Sequence, residues 1–206
     1  MLVEATSLLL AGLNQHIHAV DGSPIGSADI AILGNASQLD HPDVGPSLDN
    51  QVLLTVVNLE EEATLKNGPT TFREGSGVVV RHRPVHLNLF LIFAANFANY
   101  QTALHRLGQV VTYFQSHKQF DPSGFPGVLP NLPPETELSI TMELVSLNLE
   151  EVNHLWGALG GRELPFAAYR ARLVVLREDR PMAAGGDIRE IELSLQDVLA
   201  AGLEGG

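Results

Sequence analysis

The chain has 206 residues, 45% of them hydrophobic and 17% charged, enough for one domain with a buried core. Its net charge of −12 excludes a sequence-independent grip on nucleic acid and docking on anionic lipid, both of which need a basic face. Cysteine is absent, which excludes a disulfide framework and a thiolate site and is compatible with cytoplasmic synthesis.

The N-terminus lacks a basic n-region, and Leu8–Leu13 is too short to span a membrane. Residues 4–20 read as a helix, because Leu8, Leu9, Gly12, Leu13, Ile17 and Val20 recur at helical spacing. Thr6 or Ser7 is the expected cap, and Asp21-Gly22-Ser23-Pro24 the expected stop. A short strand is expected over 28–33, then a loop over 34–50. Gln51 to Leu59 is a near-continuous apolar run, as in a strand covered on both faces. Lys66-Asn67-Gly68-Pro69 signals a turn, Thr70 to Ser76 a polar loop, and Gly77 to Val80 a short edge strand.

Val85 to Phe93 is the strongest strand: it begins by alternating and becomes wholly apolar. Tyr100 to His117 reads as an amphipathic helix with a stripe of Leu104, Leu107, Val110, Val111 and Phe114. Asp121 to Pro134 carries five of the 12 prolines and is expected to be a loop without regular structure. From Glu137 to Val145 the alternation puts Leu138, Ile140, Met142 and Leu144 on one face.

Asn148 and Glu151 are spaced for a capping box, opening a helix that ends at Gly160-Gly161. Its apolar face is Leu149, Val152, Leu155 and Trp156. Phe166 to Leu176 is a strand with Tyr169, Ala171, Leu173 and Val175 on one face. Ile188 to Leu195 alternates again, and Gln196 to Leu203 reads as a short helical tail. The order predicts an α+β fold, a mixed and largely antiparallel sheet with helices packed on it. Residues 1–180 are expected to form the main domain and 181–206 a C-terminal arm.

Chemistry finds few anchors. His16 and His18 point apart on a helix, and Pro84 interrupts His82 and His86. His105 and His154 lie on separate helices, and no HExxH occurs, so packing or solvated histidines are favoured over a metal site. The sequence has no GxGxxG, no P-loop and no GxSxG elbow. Glu60-Glu61-Glu62 closes a strand whose side chains alternate faces, so the three carboxylates do not converge alone. A solvated or interface cluster is favoured, with Lys66 and Arg73 as candidate partners. Trp156 is a core residue by default, with a subunit-interface anchor as the alternative.

Three segments resemble a known family. They are Val57 to Glu62 with Leu65-Lys66-Asn67; Pro84 to Leu89 with Phe97 to Tyr100, Ala103-Leu104 and Arg106-Leu107; and Glu143 to Leu147 with Val152 to Gly161, Pro165 and Tyr169 to Leu173. Together they resemble the N-terminal domain family of tail-terminator (cap) proteins from extracellular contractile injection systems, over about residues 5–178. The chain is short for that family, with little after its last strand. The resemblance implies a phage tail-terminator-like fold and a structural subunit, not an enzyme, without cofactor. It implies a homo-oligomeric ring of six at the baseplate-distal end, bound to inner tube and sheath, that stops their polymerisation and couples them. Such a particle is assembled in the cytoplasm and is either released or anchored in the cell.

Within that role, Glu60, Glu61, Glu62, Lys66, Trp156, Ile188, Ile191 and Leu193 are the expected interface residues. The 187–195 segment either adds a strand to a neighbouring sheet or serves as an edge strand of its own domain. The alternatives are another structural adaptor of the same particle, at the baseplate or tube, and a histidine-based metal-binding module.

Overall fold

The computed structural model describes residues 1–24, 27–62, 71–74, 77–80, 85–125, 127–132, 138–160, 162–176 and 183–186. They fall in two compact units, Met1–Asn67 with Pro84–Leu176, and Gly68–Arg83 with Arg177–Gly206. The elements in chain order are α1 (Leu2–Asp21), β1 (Ala31–Leu33), β2 (Gln51–Glu61), β3 (Thr71–Glu74), β4 (Gly77–Val80), β5 (Val85–Asn96), α2 (Tyr100–Ser116), β6 (Gln119–Phe120), β7 (Ile140–Val145), α3 (Leu149–Ala158), β8 (Phe166–Leu176) and β9 (Ala183–Gly186). Short 3-10 turns occupy Ala36–Gln38, Gly45–Leu48 and Pro122–Gly124.

The first unit is built on a six-stranded sheet of order β1-β2-β5-β8-β7-β6. Only β1 and β2 pair in parallel; the other neighbours are antiparallel. This is the mixed, largely antiparallel α+β architecture expected from the sequence. The central strands β2, β5 and β8 come from the three longest β-type runs, which suits strands covered on both faces.

Alternation assigns each residue to a face. Leu89, Leu91 and Phe93 join α1 and α2 in one core, with Leu8, Leu9, Leu13, Ile17, Val110 and Phe114. Ile92 and Ala94, one residue out of step, join Leu53, Ala168 and Trp156 in a second core. Helices α1 and α2 thus cover one face, while α3 and the turns of 36–48 cover part of the other.

Glycine permits the close approach of α1 to α2. A Cβ on Gly12 would lie 2.1 Å from the Tyr113 hydroxyl and 2.8 Å from the Phe125 ring. Tyr113 is buried there between the rings of His16 and His117, at centroid distances of 5.2 and 4.9 Å, and burial pushes its hydroxyl pKa up to about 12.

Helix ends follow local chemistry. The α1 stop is Gly22 with φ of 64°, the left-handed cap that glycine tolerates. Its start differs from expectation: the N-cap is Met1, and the Thr6 hydroxyl instead donates to the carbonyl of Val3 at 2.9 Å inside the helix. Asn99 caps α2 through the Thr102 amide. The capping box of α3 forms as expected, with Asn148 and Glu151 exchanging bonds of 2.8 and 2.9 Å.

At the α1 C-terminus, Asp21 accepts from both Arg106 and Gln109 of α2. Partial burial alone raises the Asp21 pKa, but the bonds from Arg106 and Gln109 outweigh it and hold the carboxyl below its ordinary value. A depressed folded pKa means stability present above the unfolded-state value and lost as pH falls through the folded one. Acid titration of unfolding free energy will therefore lose stability through this pair as pH falls below the ordinary aspartate range. Asp21→Asn will remove that part of the slope; an unchanged slope would show that the pair contributes nothing.

The second unit holds a three-stranded antiparallel sheet of order β3-β4-β9. Two expectations fail here. Thr71–Glu74 is a strand rather than polar loop, and Gly77–Val80 is the central strand rather than an edge. A four-residue strand made regular by a tight hairpin partner leaves little periodicity to read. The expected turn at Lys66–Pro69 and the elements after residue 187 lie outside the described residues.

Candidate assembly surface

The two edges of the six-stranded sheet are unlike each other. On one side β1 covers only the start of β2, pairing Ala31, Ile32 and Leu33 with Val52, Leu53 and Leu54. The cover ends at Gly34, whose amide donates to the Leu54 carbonyl at 3.1 Å. The Thr55 hydroxyl donates to the Gly34 carbonyl at 2.5 Å and accepts from the Ala36 amide. From Val56 to Glu60 the outer side of β2 pairs with no described residue.

A bulge between Val56 and Asn58 shifts the register there. Val56 sits opposite Leu91 and Leu59 opposite Leu89, so both fall on the α1/α2 face despite their odd spacing. They remain 37% and 47% exposed. At the other edge, β6 pairs only with Ile140 and Thr141, and the Met142 amide donates to the Lys118 carbonyl. The outer side of β7 beyond that has no partner among the described residues.

The acidic run lies where β2 ends. Glu60 opposes Asn88 and Glu61 opposes Leu87, so successive carboxylates take opposite faces as expected. Glu60 reaches Arg170 of β8 at 3.9 Å, both half exposed, and a second exposed pair, Arg172 with Glu143, lies at 3.1 Å. Asn88 donates its side-chain amide to Glu62 at 2.9 Å, and the Glu62 amide continues the strand pairing by donating to the His86 carbonyl. These are solvated ion pairs and amide contacts, each contributing little stability.

Sequence reasoning missed Arg170. It sits on the strand beyond β5, and only the order β2-β5-β8 brings it over Glu60. Lys66 and the arm residues Ile188, Ile191 and Leu193 lie outside the described residues.

Trp156 is 3% exposed and packs edge-on against Phe166 at 5.5 Å, anchoring α3 to the sheet. Leu149 departs from the expected helix face and is 83% exposed. Among the described residues no three histidine, aspartate or glutamate side chains are grouped to hold a metal ion. No helix among them is long and apolar enough to cross a membrane. A cleft of about 160 Å³ lined by Asp49, Asn50, Asn96, Phe97, Ala98 and Arg162 sits at one end of the first unit.

This sheet, with two helices on one face and one on the other, has the fold of two solved terminator structures. A solved PVC sheath/tube terminator of an extracellular contractile injection system, in its extended state, matches with a TM-score of 0.55 at 13% identity, covering 96% of this chain and 72% of that one. The tube-terminating cap of the anti-feeding prophage matches with a TM-score of 0.53 at 13% identity, covering 94% and 68%. At that identity the likeness establishes the fold alone. The chain itself belongs to the family described as the Pvc16 N-terminal domain, whose model matches residues 4–190. None of the curated proteins matches it.

Proposed function

We propose that this protein is a structural tail terminator of a contractile injection system. Six copies close a ring at the baseplate-distal end, stop the growth of inner tube and sheath, and couple one to the other. The observation that carries this reading is the family match over residues 4–190, and the fold likeness to a sheath/tube terminator and a tube-terminating cap supports it. The two sheet edges, unlike each other and without full cover among the described residues, suit the role, because a ring closes through heterologous contacts in which each copy offers two different patches. The net charge of −12 suits basic surfaces on partner subunits.

The test is to assemble particles with and without this protein and to image them. Without it, tube and sheath lengths will spread broadly; with it, they will be uniform and the labelled protein will sit on the end opposite the baseplate. An unchanged length distribution would overturn the proposal. Label at the baseplate end would favour an adaptor subunit instead.

A further inference from the structure

We infer that the outer edge of β2 from Val56 to Glu60 receives a β-strand from a second copy of this chain, residues 187–195. The inference rests on the ring reading above and names the contact through which copies join.

Among the described residues the acceptor edge is uncovered. Five residues of strand, about 17 Å long, present outward backbone groups to no described partner. Proteins protect such edges with proline, lysine, inward-pointing charge or a covering segment. Here Val56 to Glu60 contains no proline and no lysine. The bulge instead aligns the exposed side chains of Val56 and Leu59 on one face. An added strand would satisfy the backbone groups and cover both side chains at once.

The donor has matching chemistry. Ile191, Leu193 and Leu195 alternate with Glu192 and Ser194, and no proline or glycine interrupts 187–195. This segment follows β9, which ends at Gly186, and nine extended residues reach about 30 Å. An antiparallel register that sets Ile191 against Leu59 brings Leu193 level with the bulged Val56-Val57 and Arg189 level with Glu61. Apolar residues then meet apolar residues, and a cation meets a carboxylate. Donor and acceptor are different parts of the chain, so the contact propagates head to tail, as a ring requires.

The chain has no cysteine, so an engineered pair reports cleanly. Full-length Leu59→Cys and Ile191→Cys are purified separately, checked for native melting, mixed, and oxidised mildly. The mixture should give a disulfide-linked species of twice 22.2 kDa, about tenfold more than a control mixture of Ile191→Cys with the exposed Leu104→Cys. If the mixed protein has ring mass but no such link, this contact is wrong while the ring reading stands. A link that forms only within single chains of the Leu59→Cys/Ile191→Cys double variant also overturns it. A single-chain mass throughout defeats both readings together.

Discussion

Phe93→Ala will destabilise the first unit by about 3–5 kcal/mol, the range for truncating a buried phenylalanine. Phe93 is fully buried on β5, the strand between β2 and β8. Its ring lies 5.0 Å from that of Phe114 on α2 and meets Tyr169 of β8 edge-on at 5.6 Å. Phe114 and Tyr169 are themselves 5.2 Å apart, so the three rings form one contact that fastens α2 to the sheet. Alanine removes the transfer energy of the ring and leaves a cavity that rigid neighbours on strand and helix fill only in part. Folded domains are stable by only about 5–15 kcal/mol, so this loss consumes a large fraction. Urea unfolding followed by circular dichroism should show a lower midpoint at an unchanged slope. The contrast is Leu104→Ala, one helix turn from the core and exposed, which should change stability by less than about 0.5 kcal/mol. A Phe93→Ala loss as small as that of Leu104→Ala would mean the three rings do not hold α2 to the sheet.

Asn14→Ala is expected to cost about 2–4 kcal/mol through backbone groups rather than volume. Asn14 projects from α1 and is buried, with its side chain acting as a substitute strand for β1. Its Oδ1 accepts from the amides of Ile30 and Ala31 at 3.0 and 2.8 Å, and its Nδ2 donates to the Ala31 carbonyl at 2.8 Å. Alanine withdraws all three bonds, and stranded buried groups carry a desolvation penalty. The consequence extends beyond stability. β1 is the only described strand on the outer side of β2, and α1 holds it there through this side chain. Loosening β1 would lengthen the open edge and invite wrong pairing between chains. Hydrogen exchange gives a local readout: the amides of Ile30 and Ala31 should exchange faster in Asn14→Ala. Unchanged protection at both positions would show that β1 does not depend on Asn14.

What could be read from the sequence was whatever local chemistry decides. The α3 capping box spans four residues and appears as written. The strand Phe166–Leu176 and the helix from Tyr100 keep their expected starts, because a long period leaves little ambiguity. The failures have tertiary causes. Leu104 and Leu149 have helical spacing with apolar neighbours, yet both are exposed, with no described element packed over them. Leu144 alternates correctly with Met142 and lies on the same face, but is exposed near the end of its strand. β6, two residues long, forms only because Ile140 and Thr141 are there to pair with.

The candidate surface was legible in part. Three adjacent glutamates are visible in any reading, and their separation onto two faces follows from strand geometry. Their neighbour Arg170 is not, since it lies more than a hundred residues away and crosses over an intervening strand. The stretch of β2 that has no outer partner among the described residues is also invisible in sequence. Nothing in Gln51–Glu61 tells that β1 stops after three residues and that, among the described residues, no strand continues it along Val56–Glu60.

The most direct test of the account is the mass of the purified full-length protein in solution, by light scattering across a range of concentrations. The account predicts a species near six times 22.2 kDa that persists on dilution. A species of single-chain mass at every concentration would contradict the self-closing ring.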